Sequence, residues 1–181
     1  QIFQPQVWIE KEALVGVIEA VCSEMDVPFF ACRGYNSLSE ARSSGKKIQQ
    51  QIDGGRIPII FHLGDHDPSG IDMTRDNSDR LSMFARNAVE VRRLALNRDQ
   101  IDEYRALPNP AKVTDSRFGG YQELHGQDSW ELDALEPAVI VALVRDAVLG
   151  VRDEDAWQES VKEEEFGKAQ LHRCHELLRQ R

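Results

Sequence analysis

Along the 181-residue chain the spacing of hydrophobic positions changes repeatedly, and each change marks an expected element. Residues 6–10, "QVWIE", read as a short buried strand. The following "KEALVGVIEAVCSEM" sets Leu14, Val17, Ile18, Val21 and Met25 at helical spacing. "VPFFAC", residues 27–32, reads as a second strand. Ser37 precedes Glu40 by three residues, a capping-box pattern, so a helix is expected to about Ile52, where Gly54 and Gly55 stop it. "IPIIFHL", residues 57–63, is the clearest strand: it is β-branched and apolar on both faces, as an interior parallel strand must be. Ser69 with Asp72 marks the start of a further helix to about Arg86. "AVEVRRLAL", residues 88–96, alternates well enough for a fourth strand, nearer an edge.

Strand and helix alternate about every 30 residues, the signature of βαβ units with right-handed crossovers. The expected class is α/β, a Rossmann-like parallel sheet of about four strands flanked by helices, with a C-terminal helical extension. Its parts are a core over residues 6–96, a loop-rich extension with a helix over 97–150, and a polar helix over 151–181. Pro108, Pro110, Gly119, Gly120 and Gly126 make the stretch from Leu96 to Trp130 loop-rich. Pro137 opens a helix to Leu149, and from about Asp153 a polar helix runs onward, acidic first and basic last. No internal repeat or low-complexity tract interrupts this order.

Composition narrows the classes. With 41% hydrophobic and 29% charged residues the chain can bury a core and remain soluble. No apolar run reaches the length of a membrane span, and no signal peptide is evident, so no membrane partner is expected. Cys22, Cys32 and Cys174 are widely spaced and in no CxxC arrangement, which argues against a zinc site or disulfide scaffold and fits a reducing cytoplasm. The chain opens Gln1-Ile2-Phe3, as an excised part of something longer would. A net charge of −9 is awkward for gripping duplex DNA by charge alone. The charge is uneven, however. Asp153, Glu154, Asp155, Glu159, Glu163, Glu164 and Glu165 face only Lys162, whereas Arg33, Arg42, Lys46, Lys47 and Arg56 face Glu40 and Asp53. An acidic tail can thus hide a basic face.

Candidate chemistry lies at strand ends, where parallel α/β sheets collect functional groups. Glu10 ends the first strand, and Asp65 and Asp67 follow the third in "FHLGDHDPSG". If the backbone stays extended through His66, both aspartates point the same way, and His66 points away to pack or hydrogen-bond. Neighbouring strands lie about 5 Å apart, which lets Glu10 face the pair. Converging carboxylates repel and lose hydration unless protons or a cation join them, and Mg²⁺ is the natural guest. Standing alone, Asp-x-Asp before Pro-Ser-Gly reads first as a turn and helix cap; Glu10 at the neighbouring strand end shifts the balance.

"WIEKEAL", "CRGYNSLSEA" and "IIFHLGDHDPSGIDM", in that order, resemble the toprim domain, and within it the variant of the topoisomerase VI A subunit and its meiotic double-strand-break relatives. The motif parts are Glu10-Lys11, Arg33-Gly34 and Asp65-His66-Asp67-Pro68-Ser69-Gly70; looser likeness in "LALNRDQIDEY", "NPAKVTDSR" and "WELDALEP" extends it to about residues 6–150, there like a bacterial and phage-borne set of toprim proteins. The resemblance implies a toprim fold acting on DNA phosphodiesters by strand breakage and rejoining. Asp65 and Asp67 would hold Mg²⁺, with Mn²⁺ a substitute, and Glu10 would share the metal or act as general acid/base. By position rather than by the resemblance, Lys11 and Arg33 lie beside this site and read equally as phosphate contacts or solvated surface charges, and Arg75 on the following helix reads as a nucleic-acid contact or as balance for Asp72, Asp76 and Asp79. Such a protein would be cytoplasmic and nucleoid-associated.

In topoisomerase VI the nucleophile is a tyrosine on a separate winged-helix domain. Tyr35, Tyr104 and Tyr121 match none of it, so a tyrosine domain, a second subunit or a homodimer is the expected partner. Two alternatives stand beside this: a toprim nuclease using metal-activated water, and a non-catalytic assembly module. A haloacid-type phosphatase is disfavoured, because two strand–helix units precede the Asp-x-Asp here. His172 and His175 flank Cys174 without an evident fourth ligand, and Asp115-Ser116-Arg117 and Glu131-Leu132-Asp133 read equally as caps or contacts.

Overall fold

The computed structural model describes residues 2–32 and 37–179. Strands β1 (Phe3–Ile9), β2 (Phe29–Ala31), β3 (Ile57–Leu63) and β4 (Glu90–Ala95) form one parallel sheet in the order β2-β1-β3-β4. The two strands carrying the acidic motifs are therefore adjacent and central. Their register pairs Phe3 with Ile57 and Ile9 with Leu63, so both end at the same level.

Helix α1 (Val15–Met25), entered through a 3-10 turn over Glu12–Leu14, lies on one face with α6 (Pro137–Leu149). They cover Val7, Ile9, Ile59, Phe61 and Leu63 with Ile18, Ile140 and Val144, all fully buried or nearly so. Helices α2 (Leu38–Asp53) and α3 (Pro68–Ala85) cover the other face, burying Trp8 and Ile60 under Ile48 and Leu81. Gly45 brings them close: a Cβ there would stand 2.4 Å from that of Phe84.

Several expectations hold. β3 and α6 have the expected bounds, β4 lies at an edge, and the Ser37–Glu40 capping box opens α2. Three are corrected. β1 starts at Phe3 and stops at Ile9, which leaves Glu10 just beyond the last strand residue. α3 starts at Pro68, capped by Asp67 rather than Ser69, because Asp67 Oδ1 accepts the Gly70 N–H at 2.6 Å. The stretch after Leu96 is less loop-like than expected. It contains α4 (Arg98–Tyr104), α5 (Phe118–His125) and a two-residue antiparallel pairing of β5 (Asn109–Pro110) with β6 (Asp128–Ser129). The polar C-terminal helix is α7 (Glu154–Arg179). Arg33, Gly34 and Tyr35 lie outside the described residues.

Candidate functional site

Glu10 and the Asp65–Asp67 loop emerge side by side because β1 and β3 are paired to their last residues. The Glu10 N–H bonds to the Leu63 carbonyl at 3.0 Å, carrying the ladder one step past the strand. Gly64 follows, and its missing Cβ makes room: a methyl group there would stand 2.5 Å from Glu10 Oε2. That oxygen is buried and has no hydrogen-bond partner. Burial first, then the charges of Asp65 and Asp67, push the Glu10 carboxyl up to about 7, against the opposing pull of Arg93.

Each aspartate is held by one backbone N–H. Asp65 Oδ1 accepts from Leu132 at 2.7 Å and lies 4.0 Å from Lys11 Nζ. Burial nevertheless raises its pKa above the ordinary carboxylate value, with the Leu132 bond and Lys11 acting the other way. Asp67 caps α3, so the cap and the acidic motif are the same residue, not competing interpretations of it. Gly70 is required for this turn, since a Cβ there would meet the Asp65 carbonyl oxygen at 2.2 Å.

His66 turns away from the carboxylates, as the alternation predicts. Its backbone exchanges hydrogen bonds with Trp130 at 2.8 and 3.0 Å, and its buried ring packs among Tyr121, His125 and Trp130. Burial, then the charges of His125, Arg93 and Arg98, hold it near 4, so it is neutral at pH 7.

Pattern reasoning missed Arg93. Its buried guanidinium donates to the carbonyls of Gly64, Asp65, Gly70 and Leu96 and to Thr74 Oγ1, at 2.5 to 3.3 Å. Burial lowers its pKa to about 10, opposed by Glu10, Asp65 and Asp67, so it stays charged. It clamps the loop through these carbonyls, and its charge opposes the rise of the Glu10 carboxyl. In the sequence, "VRRLA" reads as edge-strand charge; only the strand order aims the second arginine inward.

Lys11 is engaged within the chain: its ammonium stands 2.6 Å from Glu131 and 3.2 Å from Asp133. Burial opposes its charge, but these acids and Asp65 raise its pKa overall. Arg75, exposed on α3, pairs with Asp72 and Asp79 and lines a cavity of about 360 Å³ with Pro68, Ile71, Arg117 and Leu124. Thus Glu10, Asp65 and Asp67 are brought together with Lys11 at the margin, Arg75 stands one helical turn or more away, and Arg33 is undescribed. Among the described residues, no three His, Cys, Asp or Glu side chains form a ready-made metal cluster. The charges of Asp65 and Asp67 both reach Glu10.

Two glycine substitutions separate the parts of this geometry. Gly64→Ala is expected to swing the flexible Glu10 carboxylate outward. Its pKa should fall back toward 4.5, and the loss of stability that Glu10 causes as pH rises from 4.5 to about 7 should flatten with it. Carboxyl-detected NMR titration checks it; an unchanged Glu10 titration would contradict the placement. Gly70→Ala meets backbone and cannot be relieved that way, so it should lower the melting temperature and shift the amide resonances of residues 64–67.

No family model, curated protein or solved structure matches the chain.

Proposed function

We propose that the chain is a divalent-metal-binding α/β domain of toprim type that acts on DNA phosphodiesters, as the metal half of a topoisomerase VI A-like assembly. One observation carries this: an unpartnered, buried carboxylate oxygen on Glu10 beside two further carboxylates, at the ends of adjacent parallel strands. An arrangement that raises its own acids is awaiting a positive charge or a proton.

The donor set fits a hard cation. All three groups offer oxygen, and each aspartate keeps an oxygen beyond the one bonded to backbone. The absence of a preformed three-ligand cluster is compatible with Mg²⁺, which retains several waters and takes one or two carboxylates directly. Glu10, Asp65 and Asp67 would hold it; Mn²⁺ could substitute. When bound, the ion would supply charge neutralisation at a phosphate oxygen. Where Glu10 stays off the ion, its carboxyl, held near 7, would instead move a proton to or from the reacting hydroxyl.

On this reading the tyrosine chemistry comes from elsewhere. The Tyr121 hydroxyl is shared between the His66 and Asp128 carbonyls, and burial pushes it up to about 12, which makes it a poor nucleophile. Tyr104 stands partly exposed on α4. This supports a partner-supplied tyrosine, or, as the second reading, a metal-activated water in a nuclease. No helix among the described residues is long and apolar enough to cross a membrane.

Calorimetric titration with Mg²⁺ or Mn²⁺, beside Asp65→Ala/Asp67→Ala and Glu10→Ala variants and with supercoiled DNA in parallel, tests this. Binding lost in the variants without cleavage supports the half-site. Binding with cleavage by this chain alone favours the nuclease. No binding, even with DNA to complete the shell, would leave an assembly module.

A further inference from the structure

Helix α7 is built for company. None of its 26 residues is buried, and Phe166, Leu171, Leu177 and Leu178 are each at least 65% exposed. Its first turns touch the body, where Arg152 stacks on Trp157 with the guanidinium 4.6 Å from the ring. Beyond about Val161 nearly every position faces solvent. Gly167, Leu171, Cys174 and Leu178 fall on one stripe at helical spacing. A lone solvent-exposed helix of this length gains little from propensity and is ordinarily held by packing.

The charges say what would cover it. Residues 153–165 hold seven acids against Lys162, whereas residues 166–179 hold Lys168, Arg173 and Arg179 against Glu176. Two copies side by side in parallel would set acid on acid. In antiparallel they set each basic tip on the other's acidic base. The base also offers a seat of mixed character, a cavity of about 250 Å³ lined by Ile2, Phe3 and Val151 together with Gly150, Arg152 and Asp153 just before α7 begins. With full overlap, the Leu177–Leu178 tip of one copy reaches that seat on the other.

We infer that the chain self-associates as a two-fold dimer through antiparallel α7 helices, each tip seated at the base of the other. The contact is isologous, so it closes at two copies. It does not depend on the metal site, which lies at the ends of β1 and β3.

Sedimentation velocity on the full chain across micromolar concentrations tests it. The expected result is a monomer–dimer equilibrium, weakened by salt and weakened at least about tenfold by Leu171→Glu/Leu178→Glu. Circular dichroism would confirm that the variant keeps its helix. To read direction, Ser160→Cys is oxidised beside native Cys174; antiparallel overlap brings positions 160 and 174 to one level on the same stripe, so a 160–174 cross-link is expected. A monomer at every concentration overturns the inference, and so does a Cys174–Cys174 link as the main product. A dimer indifferent to the leucine changes overturns the role of α7.

Discussion

Glu10→Gln is expected to stabilise the metal-free chain by up to about 3 kcal/mol at pH 8 and to leave it unchanged at pH 4. The folded chain holds Glu10 near 7 against 4.5 when unfolded. At about 1.4 kcal/mol per pH unit, that gap gives about 3 kcal/mol. The direction follows from which state holds the proton. Below 4.5 both states carry it and the group is silent. Between 4.5 and about 7 the folded chain binds more proton than the unfolded one, so wild-type stability falls as pH rises. Above 7 the penalty is complete and level. Urea denaturation at pH 4, 6 and 8 should show the wild type losing ground to the glutamine variant over that window. Parallel curves at all three values would mean that Glu10 titrates as an ordinary surface acid.

The same variant should weaken Mg²⁺ binding, because it removes a charged donor. A residue whose replacement raises stability while removing binding is kept for what it binds. In the wild type, proton and cation would compete for one carboxylate, so Mg²⁺ affinity should fall as pH drops below 7.

How much of this was legible in the sequence differs residue by residue. β3 was plain because an interior parallel strand is apolar on both faces, and α6 because Pro137 and an apolar stripe bound it. The pairing of Glu10 with the aspartates was legible as far as strand adjacency could be guessed. What the chain pattern could not contain was Gly64's role, since the room it leaves matters only once β1 lies beside it. Nor could it contain the Leu132 N–H on Asp65, which spans 67 residues. α4 and α5 were hidden for a different reason. They are 7 and 8 residues long, too short for a clear period, and Gly119-Gly120 lowers the helix propensity of α5. Tertiary bonds anchor the region, among them the Tyr121 hydroxyl to the His66 carbonyl.

Arg93→Met is expected to be the most damaging single change near the site, at about 3–5 kcal/mol. Methionine fills similar space but donates nothing. The carbonyls of Gly64, Asp65 and Gly70 would each lose a donor, and Thr74 would keep only its 2.9 Å contact with His62 Nδ1. Glu10 would also lose the positive charge that holds its pKa down, so it should titrate above 7. Arg93→Lys separates the two contributions. An ammonium restores the charge but cannot bridge several carbonyls from one plane, so it should recover the Glu10 titration more fully than the stability. The double change Arg93→Met/Glu10→Gln completes a cycle. Because the arginine opposes a buried acid, the double variant should be more stable than the sum of the single effects predicts when measured at pH 8. Strict additivity there would confine Arg93 to holding backbone, and an unchanged melting temperature in Arg93→Met would remove it from the loop altogether.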